Sequence, residues 1–448
     1  MFLEVFVNNN FFRPLLDDSD LLAFVRDDII LQKDTLYFDW TASGLESKSI
    51  LRRMENILGR YANTHSNSSR NAKFISELYL EAKVKLKELL GLSEDFFIIP
   101  SGYGASGAMK KYQEIKGIYI SPLLKNMLND KLKALKIKLE KPKILIGPYE
   151  HHSNEISLRE GFCECLKIPL NNNGIISLDS MQEILDSNSI SFASINIASN
   201  VSGVIAPFKQ ISSKLRTKNI DIAFDLAAIS AHNNVSCDLF DNAFLSPHKL
   251  LGGIGSCGIL CIKRNSFDTS LPPTFSGGGS VKYASANYHY YIDDIEQRED
   301  SGTPPILELF KAVLAYQYRN EVGLDFIQRR ERVLYEIMLE ELREIEGIEI
   351  YGIDCDASYL PIISFNVDSI SPYDLAYELS YYYGIETRAG CSCAGPYGHY
   401  LLNKDEIKDI NLVSLKPAWL RVSLHYSHNF NDIEYFISSI KKIIKRLR

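Results

Sequence analysis

Long apolar runs are missing from this sequence of 448 residues, and no stretch approaches the ~18 to 20 apolar residues that a membrane-spanning helix needs. The opening residues, MFLEVFVNNNFFRPLLDD, lack the basic start, the continuous apolar stretch and the small-residue cleavage site of a secretory signal. Basic residues are not in excess either, because 49 Lys and Arg face 56 Asp and Glu and leave a net charge of -7. We therefore expect a cytoplasmic protein whose main partners are neither membranes nor nucleic acids.

Disulfide bonds are not expected, although the chain contains eight cysteines. A chain of this length can bury a sizeable core without covalent cross-links, and reduced thiols are the rule in a cytoplasm. Two C-x-C pairs, Cys163/Cys165 and Cys391/Cys393, raise the alternative of a zinc site. Structural zinc sites more often separate their paired cysteines by two residues, so we predict that no metal is bound.

Short apolar segments alternate with amphipathic helical segments through the larger, N-terminal part of the chain. This alternation predicts an α/β fold with a large, mainly parallel sheet that helices cover on both faces. Such sheets bind their ligands in the loops at the carboxyl ends of the strands. The candidate strands are FFIIP (96–100), KILIG (143–147), SFASINIAS (191–199), DIAFD (221–225), NAFLS (242–246) and GILCIKR (258–264).

The pattern changes after about residue 305, where long helical segments lead into a second, smaller α/β unit. This unit again alternates apolar strands, such as PIISFNV (361–367), with helices. We therefore predict three parts. They are an N-terminal segment over 1–45 that packs near the small domain, a large cofactor-binding domain over 46–305, and a small C-terminal domain over 306–448 that carries a cysteine segment.

The strongest chemical signal lies at the ends of two of these strands. Asp225 ends DIAFD, and Ser246, His248 and Lys249 follow closely on NAFL. A carboxylate at a strand end stays ionised when it meets a cation, and the protonated pyridine nitrogen of pyridoxal 5'-phosphate (PLP) is such a cation. A partly desolvated lysine forms a Schiff base readily, and Ser246 and His248 are placed to donate hydrogen bonds to a phosphate. The alternative is a helix-capping Asp and a solvated Lys on a loop.

A glycine-rich turn, SGYGASGAMKK (101–111), agrees with a phosphorylated cofactor. It joins a predicted strand to a helix, so the backbone N–H groups from Gly104 to Ser106, with the Ser106 hydroxyl, form a cradle for an anion. A plain turn is the alternative. Another glycine pattern, Gly253-Ile-Gly255-Ser-Cys-Gly258, matches G-x-G-x-x-G but precedes a strand, which is the wrong context for a dinucleotide.

At these residues the chain resembles the class V aminotransferase superfamily of fold-type I PLP enzymes, and within it the NifS-like and cysteine desulfurase/selenocysteine lyase group. The resemblance implies PLP as the cofactor and a seven-stranded sheet in the large domain. The matching segments run in order through nearly the whole chain: YFDWTASG (37–44), YANTHSNSS (61–69), SGYGASGAMK (101–110), GPYEHHSN (147–154), ASNVSG (198–203), FDLAA (224–228), LSPHK (245–249), PPTFSGGG (272–279), REDSGTP (298–304), TRAGCSCAGPYGH (387–399) and WLRVSLHY (419–426).

The resemblance implies roles for residues whose own patterns are weak. His151 resembles the histidine that stacks on the pyridine ring and takes part in proton transfer; taken alone, it would be a half-buried structural histidine. Asn200 resembles a hydrogen-bond donor to the phenolic oxygen of the ring, and Ala105 and Ser106 occupy the phosphate loop. Thr303 resembles the residue that reaches the phosphate of the neighbouring subunit, so a homodimer is implied.

Arg421 resembles the arginine that binds the α-carboxylate of an amino-acid substrate, for which a planar, two-pronged donor is well suited. A surface salt bridge is the alternative, but Arg421 lies within an apolar strand. The chain departs from the family at Ala228, where glutamine is usual, and at Ala105 and Ser106, where two threonines are usual. We expect these departures to alter the electronics of the cofactor or the strength of its binding.

The segment TRAGCSCAGPYGH bears on the reaction. In the desulfurases a nucleophilic cysteine follows an arginine by five positions, and Arg388 and Cys393 keep that spacing. A glycine-rich, mobile loop beside a cation favours the thiolate, the form that attacks sulfur. Arg388 is also expected to contribute to substrate binding. Cys391 replaces a histidine of many relatives, and the alternatives for it are a second sulfur carrier, a resolving thiol and a small packing residue.

The resemblance thus implies a cysteine desulfurase-like enzyme that takes sulfur from L-cysteine, releases alanine and leaves a persulfide on Cys393. Lys249 would be the base and His151 would assist it, and a sulfur-acceptor protein is a further expected partner. The first alternative is another class V reaction on a different amino acid, namely transamination, epimerisation or C–S lysis, since one scaffold supports them all. The second is a non-catalytic protein, against which the intact Lys249, Asp225 and Arg421 argue.

Overall fold

The computed structural model describes residues 10–16, 20–66, 68–353 and 357–448. The helices are α1 (Leu21–Asp28), α2 (Lys48–Leu58), α3 (Arg70–Leu90), α4 (Gly104–Ile115), α5 (Pro122–Leu135), α6 (His152–Glu160), α7 (Leu178–Ser187), α8 (Phe208–Arg216), α9 (Ile295–Glu299), α10 (Ile306–Val322), α11 (Leu324–Arg343), α12 (Pro372–Tyr383), α13 (Gly395–Leu401) and α14 (Phe430–Leu447). The strands are β1 (Ile29–Ile30), β2 (Leu36–Tyr37), β3 (Glu46–Ser47), β4 (Phe96–Ser101), β5 (Lys143–Ile146), β6 (Glu164–Lys167), β7 (Phe192–Asn196), β8 (Asp221–Asp225), β9 (Asn242–Leu245), β10 (Gly258–Lys263), β11 (Val281–Ala284), β12 (His289–Tyr291), β13 (Ile348–Ile350), β14 (Ile362–Val367), β15 (Ile385–Glu386), β16 (Arg388–Gly390) and β17 (Trp419–Ser423).

Local sequence chemistry explains where several helices begin and end. The side chains of Ser47 and Ser69 cap α2 and α3, because each accepts a hydrogen bond from a backbone N–H in the first turn. Gly91 ends α3 in the left-handed conformation, with a φ of 68°, which glycine adopts without steric cost. These signals place α3 directly before β4, the strand that leads into the predicted anion cradle.

Seven strands form the large sheet, in the order β4-β10-β9-β8-β7-β5-β6. The pairs among β5 to β9 are parallel, whereas β10 is antiparallel to both β4 and β9. This confirms the predicted α/β fold with a mainly parallel, seven-stranded sheet. β4 and β7 are buried along their whole length, as strands covered on both faces should be. The sequence prediction missed β6, an edge strand whose residues are exposed or half-buried and which lacks a clear apolar run.

The smaller unit contains a four-stranded antiparallel sheet, in the order β13-β14-β17-β16, and a separate apolar core that α11, α12 and α14 share. The N-terminal segment contacts this unit, since β2 pairs with β15 and Asp39 forms a bridge with Ser423. Helix α10 packs on α2 and α3 instead, and its buried side chains belong to the core of the large sheet. The division of the chain at residues 45 and 305 stays a prediction.

Among the described helices, none combines the length and the apolar composition that a membrane crossing requires.

Candidate active site

A cavity of about 260 Å³ lies at the carboxyl ends of β7, β8 and β9 and is lined on another side by residues of the smaller unit. Every predicted site residue except Thr303 lines it. The wall formed by the large sheet carries Ala105, Ser106, His151, Asn200, Asp225, Ser246, His248 and Lys249, and the opposite wall carries Arg388, Cys393 and Arg421. The structure therefore brings together residues that lie up to 316 positions apart (421 minus 105).

Lys249 lies in a short 3-10 turn that follows β9, where its side chain is half-buried. Burial lowers the pKa of Lys249 to about 8, although the nearby Asp225 acts in the opposite direction. Within the described part of the chain, the Nζ atom of Lys249 makes no hydrogen bond or ion pair. An amine of lowered pKa that faces a cavity is suited to attack a carbonyl carbon.

Asp225 is the last residue of β8 and is only 3% exposed. Its Oδ1 atom accepts a hydrogen bond from the backbone N–H of Ala227 at 2.9 Å. Burial raises the pKa of this carboxyl group, while that hydrogen bond and Lys249 act against the rise. A buried carboxylate of this kind gains most from a cationic ligand that replaces the lost water.

The anion cradle forms where β4 runs into α4. The backbone N–H of Ala105 donates to Oγ of Ser246 at 2.8 Å, and Oγ of Ser106 lies 2.5 Å from Oγ of Ser153. Gly104 has a φ of +57°, and a Cβ at this position would lie 2.7 Å from Cε1 of His248. Only glycine therefore lets the loop approach His248, and the helix N-terminus with its hydroxyl groups is suited to hold a phosphate.

His151 caps α6 and is oriented by Ser153. Its Nδ1 atom accepts from the backbone N–H of Ser153 at 3.2 Å, so the proton of the neutral ring is placed on Nε2. Burial, with Lys249 as a second cause, lowers the pKa of His151 to about 4. Burial also lowers the pKa of His248 to about 4. Both rings are therefore neutral near pH 7.

The cysteine segment is a short connection between β16 and α13 that several hydrogen bonds tie to the large sheet. The carbonyl of Cys393 accepts from the backbone N–H of His152 at 2.9 Å, and that of Ser392 accepts from Nδ2 of Asn200 at 2.7 Å. Ser392 and Cys393 have φ values of +51° and +58°. The side chain of Cys393 is exposed, whereas that of Cys391 is half-buried against the main core.

Asn200 and Thr303 have surroundings that the sequence did not predict. Asn200 donates to Ser392, and its buried Oδ1 atom has no hydrogen-bond partner among the described residues. Thr303 is exposed and lies outside the cavity, where its Oγ1 accepts from Nδ2 of Asn63 at 2.9 Å. The roles of both residues toward a cofactor stay predictions.

Sequence reasoning missed Asp39, which holds the two arginines of the site. Its carboxylate accepts from Nε of Arg388 at 2.9 Å and from Nη2 of Arg421 at 2.9 Å. The hydrogen bond from Arg388 to Asp39 raises the pKa of that guanidinium group. Asp39 lies in the segment YFDWTASG, and no local pattern in that segment points to either arginine.

The groups around the cavity fit PLP. An amine of lowered pKa, a buried carboxylate, a neutral histidine ring and an anion cradle are the partners that a phosphorylated pyridine aldehyde needs. Oγ1 of Thr41 is buried at the cavity and has no hydrogen-bond partner among the described residues, so it is available to a ligand. In the same described residues, no group of three or more His, Cys, Asp and Glu is arranged to hold a metal ion.

The chain is similar to known proteins over most of its length. The profile of the family "Aminotransferase class-V" matches residues 126–436. A probable cysteine desulfurase from Pyrococcus abyssi is 25% identical over 435 residues, which cover 95% of this chain and 98% of that protein.

The solved structures confirm the fold. The cysteine desulfurase from Thermococcus onnurineus NA1 aligns with a TM-score of 0.78 and 23% identity over 94% of this chain and 97% of that one. A NifS-like protein from Rickettsia africae aligns with a TM-score of 0.71 and 18% identity over 92% of this chain and 99% of that one. These structures confirm the fold, and the family match confirms the resemblance to the class V aminotransferases.

Proposed function

The chain belongs to the class V aminotransferase family of PLP-dependent enzymes, and from this premise we propose that it is a cysteine desulfurase-like enzyme. It would take sulfur from L-cysteine, release L-alanine and leave a persulfide on Cys393. One observation carries the proposal: the exposed Cys393 lines the same cavity as Lys249 and Arg388.

The large-sheet wall would hold the cofactor. Lys249 would attach it covalently, Asp225 would face its ring nitrogen, and His151 would cover its ring. Ser106, the N-terminus of α4, Ser246 and His248 would hold its phosphate. When bound, PLP supplies a sink for the electrons of a bond that breaks at the substrate Cα.

The residues of the chain would then perform the remaining tasks. Arg421, together with Arg388, would bind the substrate carboxylate, and the neutral amine of Lys249 would accept the proton from Cα. The thiolate of Cys393 would attack the substrate sulfur. The Cβ–S bond would break as an S–S bond forms on Cys393, and Cβ would keep the bonding electrons and take up a proton. Lys249 would return a proton to Cα, which gives alanine.

Replacing Cys393 tests this role. We expect Cys393→Ser to keep the yellow colour of bound PLP and to bind L-cysteine, but to form no persulfide and to release neither sulfide nor alanine above background. Mass spectrometry of the protein and an alanine assay measure both. Cys237→Ser changes a half-buried thiol outside the cavity and should leave turnover unchanged.

Further outcomes decide between the alternatives. Cys391→Ser should also leave turnover unchanged if Cys391 only packs, whereas persulfide that builds up on Cys393 would make Cys391 a second carrier. Unchanged sulfide release from Cys393→Ser would overturn the proposal. Amino exchange that depends on a keto acid would instead make the chain a transaminase.

The expected partners remain proposals as well. We propose a homodimer in which Thr303 reaches the phosphate site of the neighbouring subunit, and a protein that accepts sulfur from Cys393. Sedimentation of the purified protein tests the first. Transfer of labelled sulfur to a protein thiol tests the second.

A further inference from the structure

Helix α5 has an apolar side that no other described part of the chain covers. Five of its large apolar side chains are each more than a third exposed, and they are Leu123, Leu124, Met127, Leu128 and Leu135. Their spacing places them within about 140° of the helix circumference, at about 100° per residue. Lys125 and Leu132 are half-buried, and every other described residue of the helix is exposed. The helix therefore touches the rest of the chain along one line and leaves its apolar side in solvent.

The helix is attached at one edge of the large sheet. Nζ of Lys125 lies 2.8 Å from the carbonyl oxygen of Glu160 and 2.9 Å from its Oε2 atom. Glu160 ends α6, which packs against the edge strand β6. The subunit contact that we propose for Thr303 lies toward the opposite edge, because α9, which ends shortly before Thr303, packs on β4. A homodimer through Thr303 therefore need not cover α5.

Local signals form this helix with little support from the rest of the fold. Oγ of Ser121 accepts a hydrogen bond from the backbone N–H of Leu124 at 3.3 Å, and Pro122 occupies the first turn. Lys136 ends the helix in the left-handed conformation. A helix of 14 residues is marginal in water by itself, and most helices in proteins are stabilised by burying an amphipathic face. A surface that covers the apolar side would therefore stabilise α5.

The same part of the chain is strongly basic. Residues 121–141, which we call the basic segment, contain six lysines and two acidic residues and carry a net charge of +4 (6 minus 2), although the whole chain carries -7. Two further exposed apolar side chains, Ile137 and Leu139, follow the helix and alternate with Lys136 and Lys138. The net charge of the whole chain therefore hides a surface that is both basic and apolar. Its partner should be anionic at the surface and apolar beneath it.

Charge and spacing favour one occupant among three. A second copy of the basic segment would bring two sets of lysines together, and these repel. A helix that binds in a protein groove uses apolar anchors at i, i+3 or i+4, and i+7. After Leu124 and Leu128, the i+7 position is Lys131, whose charge a closed groove would bury. On a lipid surface, the alkyl part of this lysine can lie among apolar groups while its ammonium group reaches a phosphate.

We propose that the basic segment is a peripheral membrane-binding element that lies flat on a bilayer containing anionic phospholipid. Its leucine, methionine and isoleucine side chains would enter the boundary between headgroups and acyl chains, and its lysines would meet the lipid phosphates. None of its described residues lines the cavity. The inference therefore adds a partner surface to the proposed function without depending on it.

Flotation of the full chain with lipid vesicles tests the proposal. One set of vesicles contains phosphatidylcholine alone, and a second set contains phosphatidylserine as well. We expect binding to be at least about tenfold tighter on the second set and to weaken as salt is added. No binding to either set, or equal binding to both, would overturn the proposal.

Exposed apolar side chains provide a matched pair of variants. Leu124 and Leu128 are 48% and 36% exposed on α5, and Leu80 and Val84, also four positions apart, are 45% and 54% exposed on α3. Leu124→Gln/Leu128→Gln should weaken vesicle binding by about tenfold or more, whereas Leu80→Gln/Val84→Gln should bind like the natural chain. All four side chains are exposed, so both variants should fold. Equal binding by the two variants would refute the role of the apolar side.

The lysines are tested in the same way. Lys131→Gln/Lys133→Gln should weaken binding to phosphatidylserine vesicles by about tenfold, because each lysine near an anionic surface adds to the attraction. Lys442→Gln/Lys445→Gln removes the same charge from exposed positions in α14 and should have no effect. The reverse result would place the membrane contact at α14 and would overturn the proposal.

A tryptophan in the basic segment reports its contact with lipid directly. Leu135 is 67% exposed, whereas the natural Trp40 and Trp419 are buried. The emission of Leu135→Trp should shift to shorter wavelength when phosphatidylserine vesicles are added, and that of Leu80→Trp should not. An unshifted Leu135→Trp would contradict the proposal.

Sedimentation without vesicles tests the second-copy alternative. We expect the natural chain and Leu124→Gln/Leu128→Gln to form assemblies of the same size. If the natural chain forms larger assemblies, a second copy covers the apolar side and the membrane proposal is wrong.

Discussion

The pKa values of the side chains on the two walls of the cavity are shifted by different causes. On the large-sheet wall, burial is the largest cause of the lowered pKa values of Lys249, His151 and His248. On the opposite wall, the side chain of Arg388 is 48% exposed, and its pKa is raised chiefly by hydrogen bonding to Asp39. Burial also lowers the pKa of Arg421 on the opposite wall, so the contrast with the large-sheet wall lies at Arg388, where pairing with Asp39 has the larger effect.

This difference matches the tasks that we propose for the walls. A cofactor that stays bound can rest against His151 and His248, whose rings burial keeps neutral near pH 7. A substrate carboxylate that comes and goes needs cations that remain charged, and paired arginines provide them. Burial therefore suits the residues that hold the cofactor, and ion pairing suits the residue that binds a substrate which enters and leaves.

The largest expected effect concerns Lys249. We expect Lys249→Ala to lose the yellow colour of bound PLP and to reduce desulfurase turnover by about 10³-fold or more, because attachment and proton transfer are both removed. The absorbance spectrum and an alanine assay measure this. Lys263→Ala alters a lysine that pairs with Asp241 at 3.3 Å, away from the cavity, and should behave like the natural chain. A Lys249→Ala protein that is yellow and active would contradict the role of Lys249 in holding the cofactor.

The pH dependence of cofactor loading tests the desolvation itself. Only the neutral amine of Lys249 attacks the aldehyde, and its pKa is lowered from 10.5 to about 8. The loading rate of the PLP-free protein should therefore rise about tenfold per pH unit below 8 and level off above it. A rate that keeps rising toward pH 10 would show that burial does not act on this amine.

The variant Asp225→Asn gives a second test of the pKa of Lys249. Because its negative charge raises the pKa of Lys249, Asp225→Asn should move the plateau to lower pH. A shift toward higher pH would contradict the sign of this interaction.

A smaller effect is expected at the anion cradle. Gly104 and Gly91 both have positive φ values, +57° and +68°, but only at Gly104 would a Cβ meet other atoms within 4 Å. Both alanine variants should lose about 1–2 kcal/mol of stability from the left-handed backbone. Gly104→Ala alone should weaken PLP binding, by about tenfold, because the ring of His248 must move. Equal PLP affinities in titrations of the two variants would contradict the proposal that this loop holds the phosphate of PLP.

The large-sheet wall was the more predictable of the two. Asp225, Ser246, His248 and Lys249 follow directly on strands whose apolar runs are plain in the sequence, and parallel strands bring their carboxyl ends to one edge. The contact of Asn200 with Ser392 was not predictable, because it joins residues 192 positions apart through a side chain.

The contact of Asp39 with Arg421 could not be predicted from the sequence. Nothing in the order of residues links Asp39 to Arg421, which lies 382 positions away. The link exists because β2 pairs with β15 and Asp39 bridges to Ser423, so a terminal segment reaches a distant sheet.

The sequence by itself determined the α/β fold, the family and the set of groups that can hold a phosphorylated aldehyde, because strand ends and glycine turns have local signatures. The tertiary structure decided which side chains meet: Asp39 between two arginines, and Cys393 in the same cavity as Lys249. The physical reason is the distance along the chain over which each effect acts. Hydrogen-bonded turns and apolar periodicity act over a few residues, whereas the pairing of buried charges depends on which distant segments the fold packs together.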